Sequence, residues 1–189
     1  MSLFFVGGVG GVGKSTLCEA LKGPLNAEHL KASELLHFKP EQSDPTRRAV
    51  ANVEESQRQI VRVFKARTSS KPNTLLDGHY CLVNTSNRIS AVPVTTFLLL
   101  RPAALLLVEA EPSVIVQRLQ GRPGQPYSLE FLKQLIVEER RYAITVAATL
   151  DVPLQTWSST TPIEGAIEFF LSAALLRPNR QLEGNAETS

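Results

Sequence analysis

A glycine-rich segment near the amino terminus limits the folds open to this 189-residue chain more than any other feature. Residues 8–15 read Gly-Val-Gly-Gly-Val-Gly-Lys-Ser, which fits the spacing G-x-x-x-x-G-K-[ST]. The apolar residues 3–6 before it are typical of a short buried strand, and residues 14–21 after it are typical of a helix. Because the pattern needs this strand–loop–helix context, a chance glycine turn is a much weaker interpretation.

Each part of this phosphate-binding loop (P-loop) has a physical task. The glycines are expected to allow positive φ, so that backbone N–H groups can surround phosphate oxygens. Lys14 supplies a cation for the β- and γ-phosphates, Ser15 can ligate Mg²⁺, and the following helix points its positive end at the anion. A dinucleotide loop is the alternative, but the run from Lys14 to Thr16 favours a triphosphate. The predicted nucleotide-binding residues are Gly8, Gly10, Gly11, Val12, Gly13, Lys14, Ser15 and Thr16.

Strand and helix patterns alternate along the chain, which predicts a parallel sheet with helices on both faces. The predicted strands are residues 3–6, 29–32, 74–77, 105–109 and 154–157, and the predicted helices are 14–21, 44–67, 112–119, 129–149 and 161–176. Prolines and charges interrupt the apolar run 92–110, so we expect a buried helix and strand there and no membrane span. We expect one domain over residues 1–176 and a flexible tail over 177–189.

A carboxylate follows the predicted strand 74–77, at the edge of the sheet where ligands bind. We predict that Asp77 helps Ser15 to hold Mg²⁺ and is catalytic, although an Asp-Gly turn is the simpler alternative. His79 either contacts the phosphoryl acceptor or satisfies a backbone carbonyl group. The residues alone leave both possibilities open.

Arginines flank a loop rich in glycine and proline, residues 120–126, which suits a mobile cover. We predict that Arg118 and Arg122 stabilise the transferring phosphoryl group, because such transfer is catalysed mainly by positioning and positive charge. Arg140 and Arg141, on the following helix, are two further candidates. The alternative is that these arginines are solvated surface residues.

The composition limits which binding partners and which cellular location we expect. A net charge of +2 and 6% aromatic residues argue against a nucleic-acid-binding protein. Cys18 and Cys81 form neither a disulfide framework nor a metal-ligand cluster, which favours a reducing cytoplasmic setting. We expect small-molecule nucleotide substrates, and a protein partner or a homo-oligomer stays possible.

Three segments together resemble nucleoside monophosphate kinases, most closely the archaeal-type adenylate kinases. They are the P-loop, the stretch 75–79 that ends in Asp-Gly-His, and the stretch 109–122 with its acidic-x-Pro and arginines. The resemblance implies a P-loop NTPase α/β/α fold with a five-stranded parallel sheet in the order 2-3-1-4-5. It also implies ATP with Mg²⁺ as donor, an acceptor region over about 25–67 and a short lid over about 119–127. The implied acceptor-binding residues are Ser33, His37, Arg47 and His79.

One departure from that family keeps other functions open. His37 stands where adenylate kinases commonly carry an arginine. The leading hypothesis is phosphoryl transfer to a nucleoside monophosphate. The alternatives are an ATPase or nucleotide switch that acts on a protein partner, and a nucleotide-binding module without catalysis.

Overall fold

The computed structural model describes residues 2–36, 53–84, 86–120, 127–158 and 160–175. Within these ranges the chain forms seven strands and seven helices. In chain order they are β1 (Ser2–Gly7), α1 (Lys14–Leu21), β2 (Ala27–Lys31), α2 (Ala32–Leu36), α3 (Val53–Ala66), β3 (Asn73–Asp77), β4 (Cys81–Val83), β5 (Ile89–Ala91), α4 (Val94–Leu100), β6 (Ala104–Glu109), α5 (Pro112–Leu119), α6 (Leu129–Leu150), β7 (Leu154–Ser158) and α7 (Ile163–Leu175).

Five of the strands form one parallel sheet in the order β2-β3-β1-β6-β7. With the small β4–β5 hairpin left out, this is the predicted order 2-3-1-4-5, and the predicted fold class is confirmed. Asp77 at the end of β3 pairs in register with Val6 of β1 and with Lys31 of β2. The P-loop and the residues after β3 therefore leave the sheet at the same edge, where ligands of such sheets bind.

Helices cover both faces of the sheet. One apolar cluster packs β1, β3 and β6 against α1, α5 and α7, and a second packs the other face against α3, α4 and the second half of α6. The apolar run 92–110 forms α4 and β6, as predicted. In the described ranges, every helix is too short or too polar to cross a membrane.

The structure differs from the sequence-based expectations in local detail. β2 begins at Ala27, two residues before the predicted start, and Ala32 already belongs to α2. The antiparallel hairpin β4–β5 was not predicted, since each of its strands has only three residues. The side chain of Asn84 orders the turn of the hairpin by accepting hydrogen bonds from the backbone N–H groups of Ser86 and Arg88, both at 3.0 Å.

Several predictions fall on residues outside the described ranges. The predicted helix 44–67 is described only from Val53 onward, and most of the predicted lid and the whole tail 177–189 are outside. The division into one domain, an acceptor region, a lid and a tail stays a prediction.

Candidate nucleotide and phosphoryl-transfer site

The P-loop connects β1 to α1 and encloses the ammonium group of Lys14. Lys14 Nζ donates hydrogen bonds to the carbonyl oxygens of Gly8 at 2.8 Å and Val9 at 3.1 Å. Only 7% of Lys14 is exposed. Burial lowers the pKa of Lys14, and the nearby carboxylates of Asp77 and Glu139 oppose that effect only in part. A desolvated cation at the start of a helix provides an attractive place for phosphate oxygens.

Ser15 and Asp77 meet beside this lysine. Ser15 Oγ donates a hydrogen bond of 2.5 Å to Asp77 Oδ2, and Asp77 Oδ1 lies 4.0 Å from Lys14 Nζ. Burial raises the pKa of Asp77, but His29, Lys14 and Ser15 together outweigh it and hold this pKa below its ordinary value. An ionised carboxylate and a hydroxyl oxygen fit Mg²⁺, which binds to one or two protein oxygens together with water and phosphate oxygens.

The conformation of the P-loop depends on specific glycines. Gly8 has φ +145°, and a Cβ atom there would lie 2.3 Å from the carbonyl oxygen of Val108. Gly11 and Gly13 also have positive φ, at +90° and +105°. Gly10 does not, and a Cβ atom on it would meet nothing within 4 Å. The loop therefore uses the positive φ that glycine allows at Gly8, Gly11 and Gly13, but not at Gly10.

This contrast predicts different results for two glycine replacements. Gly8→Ala is expected to lower the free energy of unfolding by about 1–3 kcal/mol, because the new methyl group would clash with the carbonyl oxygen of Val108 at a positive φ. Gly10→Ala is expected to be neutral or to stabilise by up to about 1 kcal/mol. Urea unfolding of both variants without nucleotide measures this difference. Equal stabilities would contradict the described geometry of the loop.

His29 is a residue that the sequence reasoning missed. It lies on β2 with its side chain 2% exposed, and its Nδ1 atom lies 2.7 Å from Glu19 Oε1 on α1. Its Nε2 atom is buried without a hydrogen-bond partner and lies 3.7 Å from Asp77 Oδ2. Burial alone lowers the pKa of His29, but the two carboxylates outweigh it and raise the pKa above its ordinary value.

The His29 environment predicts a pH effect on the stability of the metal-free protein. Because the folded-state pKa is raised, the stabilising contribution is complete below about 6.5, the ordinary value, and is lost as pH rises through the folded-state pKa. His29→Gln should remove that part of the pH dependence. Urea unfolding in EDTA, at several pH values from below 6.5 upward, tests this. An unchanged pH dependence in the variant would contradict the inferred pairing.

The predicted arginines have different surroundings. Arg118 Nη1 donates to the P-loop carbonyl oxygens of Gly11 at 3.3 Å and Val12 at 2.9 Å, so this guanidinium lies over the loop. Arg140 makes a two-point ion pair with Glu109, with both contacts at 2.7 Å. Arg141 pairs with Glu138 one turn earlier on α6. Arg122 lies outside the described residues.

The predicted acceptor-binding residues are only partly described. Ser33 is exposed in α2, directly after β2, and His37 and Arg47 lie outside the described residues. His79 follows β3 with its side chain 38% exposed, and its Nδ1 atom lies 3.7 Å from Glu139 Oε1. Thr16 is exposed in the first turn of α1.

Glu139 is a second residue that the sequence reasoning missed. It is 1% exposed on α6, and its carboxylate accepts hydrogen bonds from the backbone N–H groups of Tyr80, at 3.1 Å, and Cys81. These bonds fix the chain that follows Asp77 and place a negative charge behind His79. Glu139 lies among the apolar positions of α6 in the sequence. This position could have predicted a buried carboxylate with hydrogen-bond partners, because unpaired carboxylates are rarely buried.

Comparisons with known proteins agree with this arrangement. A family model described as an AAA domain matches residues 7–133. A shikimate kinase from Acinetobacter baumannii, solved in complex with shikimate, is similar in structure with a TM-score of 0.62 and 15% identity, over 93% of each chain. An unliganded sugar kinase from Janibacter sp. HTCC2649 gives a TM-score of 0.55 and 20% identity, over 94% of this chain and 96% of that one.

No curated protein has a sequence that matches this chain. The two structural likenesses, at such low identity, show the fold alone, and that fold is the one of P-loop kinases. The family match extends from the last residue of β1 into α6 and covers more than half of the sequence. The chain therefore belongs to the AAA domain family and has a P-loop kinase fold.

Proposed function

We propose that this chain transfers the γ-phosphoryl group of ATP, bound with Mg²⁺, to a small-molecule acceptor. One observation carries the proposal. Ser15 Oγ donates a hydrogen bond of 2.5 Å to Asp77 Oδ2, and Asp77 Oδ1 lies 4.0 Å from the buried Nζ atom of Lys14. This places a cation for phosphates next to two oxygen ligands for a metal ion. Proteins catalyse phosphoryl transfer mainly by positioning the reacting groups and by placing positive charge around the phosphates.

Each residue of the site has a proposed role. Lys14 exchanges its two backbone carbonyl partners for β- and γ-phosphate oxygens, and Ser15 and Asp77 hold Mg²⁺. Bound Mg²⁺ would neutralise the charge that develops on the phosphates. Arg118, whose guanidinium lies over the loop, and Arg122 would stabilise the transferring group.

The free, buried thiols of Cys18 and Cys81 suit the reducing cytoplasm that we propose as the location.

A nucleoside monophosphate is the acceptor favoured by the resemblance to archaeal-type adenylate kinases. The motif at Asp77-Gly78-His79 lies at the carboxyl end of β3, where an acceptor can reach the γ-phosphate. Such an acceptor is already an anion, so it requires no strong general base. In this case Ser33, His37, Arg47 and His79 would bind the monophosphate.

A hydroxyl compound is the second candidate, and one observation favours it. A hydroxyl acceptor has a proton to lose, and the half-exposed His79, whose Nδ1 atom lies 3.7 Å from Glu139 Oε1, is the proposed base for that proton. The kinases similar in structure, a shikimate kinase and a sugar kinase, add modest support for this class.

A turnover assay with two panels of acceptors tests the proposal. The protein is incubated with ATP and Mg²⁺ together with AMP, CMP, UMP, GMP and their deoxy forms, or with sugars and hydroxy acids, and the products are identified by ³¹P NMR. The expected result is formation of ADP and a phosphorylated acceptor that stops when EDTA is added. ATP hydrolysis that only a protein partner stimulates would instead support a nucleotide switch, and ATP binding without any turnover would support a binding module.

A further inference from the structure

We infer that the acceptor site of the proposed phosphotransferase is the cavity between the β4–β5 hairpin and α6, and that it takes a small hydroxylated acid. This inference rests on the proposed function, because it assigns the acceptor of that reaction. The cavity has a volume of about 420 Å³. Sites for small molecules commonly measure about 300–1,000 Å³. The acceptor region predicted by resemblance, residues 25–67, lies elsewhere in the chain.

The position of the cavity connects it to the phosphate site. Cys81 lines the cavity, and its backbone N–H donates to the Glu139 carboxylate, which also lies 3.7 Å from His79. The buried Glu139 carboxylate therefore contacts both the segment that follows Asp77 and one wall of the cavity. Cys81 lies four residues after Asp77, so the segment that leaves β3 at the phosphate site continues into the cavity wall.

The charged lining indicates the kind of acceptor. Two guanidinium groups line the cavity, Arg88 from the hairpin and Arg141 from α6. Arg141 is paired with Glu138 at 2.6 Å, whereas Arg88 makes no ion pair with any residue in the described part of the chain. Glu138 also lines the cavity, so among the described residues the lining carries two positive charges and one negative charge. Guanidinium groups recognise carboxylates and phosphates through two parallel hydrogen bonds.

The neutral lining suits a hydroxylated molecule. Asn87 and Gln134 offer amide groups that can both donate to and accept from hydroxyl groups, and Ile89 and Phe131 provide an apolar wall. The guanidinium groups would hold the carboxylate or phosphate of the acceptor and leave a hydroxyl group free for phosphoryl transfer. That hydroxyl oxygen attacks the γ-phosphorus of ATP and the bond from phosphorus to the β–γ bridging oxygen breaks. ADP leaves, and the hydroxyl proton is released to water.

Binding of defined probes to the protein loaded with AMP-PNP and Mg²⁺ tests this inference. The probes are shikimate and gluconate as carboxylates, glucose 6-phosphate as a phosphate ester, and glucose and the methyl ester of shikimate as uncharged comparators. We expect at least one anionic probe to bind and its uncharged comparator to bind at least tenfold more weakly. Arg88→Gln should weaken that binding at least about tenfold, because a hydrogen bond to a charged group is lost.

Further variants separate a binding role from a structural one. Arg88→Lys should restore part of the affinity, and Arg141→Gln should weaken it in the same direction. Arg58→Gln is the matched control, since Arg58 is exposed on α3 and pairs with Glu54 of its own helix in the way that Arg141 pairs with Glu138. The Arg88, Arg141 and Arg58 variants should all bind AMP-PNP with unchanged affinity and melt at the temperature of the parent protein.

The outcomes distinguish this inference from the proposed function. Binding of none of the anionic probes, or binding that Arg88→Gln leaves unchanged, would overturn the assignment of the cavity. Phosphorylation of a nucleoside monophosphate with a KM that Arg88→Gln does not alter would also overturn it, while the phosphotransferase proposal would stand. Failure to bind AMP-PNP with Mg²⁺ would instead overturn the proposed function and the inference with it.

Discussion

Lys14→Ala is expected to reduce phosphoryl transfer from ATP on the order of 10³-fold. The lysine ammonium is buried at the mouth of the loop and is held by the carbonyl oxygens of Gly8 and Val9, which a bound triphosphate would replace. Alanine would remove one of the cations that the proposed function places beside the γ-phosphate. Steady-state rates at saturating Mg²⁺, together with ATP affinities from calorimetry, measure this loss.

Lys22→Ala is the matched control for that replacement. Lys22 follows α1, is partly exposed and pairs with Glu19 at 2.9 Å. An exposed pair of this kind contributes little to stability, and no change in phosphoryl transfer is expected. If Lys14→Ala kept the rate and the ATP affinity of the parent protein, the triphosphate would have to bind outside the P-loop.

Asp77→Asn is expected to lower the transfer rate about 10²- to 10³-fold and to raise the Mg²⁺ concentration needed for half-maximal activity more than about tenfold. The carboxylate is 7% exposed and is held ionised by Lys14, Ser15 and His29 in spite of its burial. Asparagine retains the shape of the side chain but loses the charge that attracts the metal ion. Rates measured over a series of Mg²⁺ concentrations test the prediction.

Asp151→Asn provides the control for removing a carboxylate charge. Asp151 is exposed after α6 and has a positive φ of 52°, a conformation that asparagine adopts readily. The rate and the Mg²⁺ requirement should stay those of the parent protein. An Mg²⁺ requirement that Asp77→Asn leaves unchanged would mean that this carboxylate does not bind the metal ion.

The sequence was sufficient to predict those parts of the site whose residues are adjacent in the chain. The strand, the glycine loop and the helix around Lys14 are adjacent in the chain, so one motif was sufficient to predict them. Asp77 could be placed because it ends a short apolar strand, and carboxyl ends of parallel strands meet at one edge. The strand order followed from resemblance to a known family and not from the residue pattern.

The remaining parts of the candidate site depend on contacts between distant positions. His29 acquires its surroundings from Glu19 on α1 and from Asp77, which is 48 residues away in the chain. No short pattern contains those three residues together. Glu139 binds the backbone N–H groups of Tyr80 and Cys81 across more than 50 residues, and this contact forms only once α6 has packed on the sheet.

The cavity wall was missed for a similar reason. Its hairpin has strands of three residues, which are too short to show an alternating pattern of apolar and polar side chains. Arg88 lies in the turn region of that hairpin and reads in the sequence as an ordinary surface residue. Only the pairing of Cys81 with Ala91 and of Val83 with Ile89 brings it opposite α6.

The most direct measurement of the central claim is a crystal structure of the full chain with AMP-PNP and Mg²⁺. We predict that Lys14 Nζ leaves the carbonyl oxygens of Gly8 and Val9 and binds β- and γ-phosphate oxygens. We also predict that Mg²⁺ separates Ser15 Oγ from Asp77 and is held by both, directly or through water. A nucleotide bound away from the P-loop, or a Ser15–Asp77 hydrogen bond that persists while other residues hold the metal ion, would contradict the account.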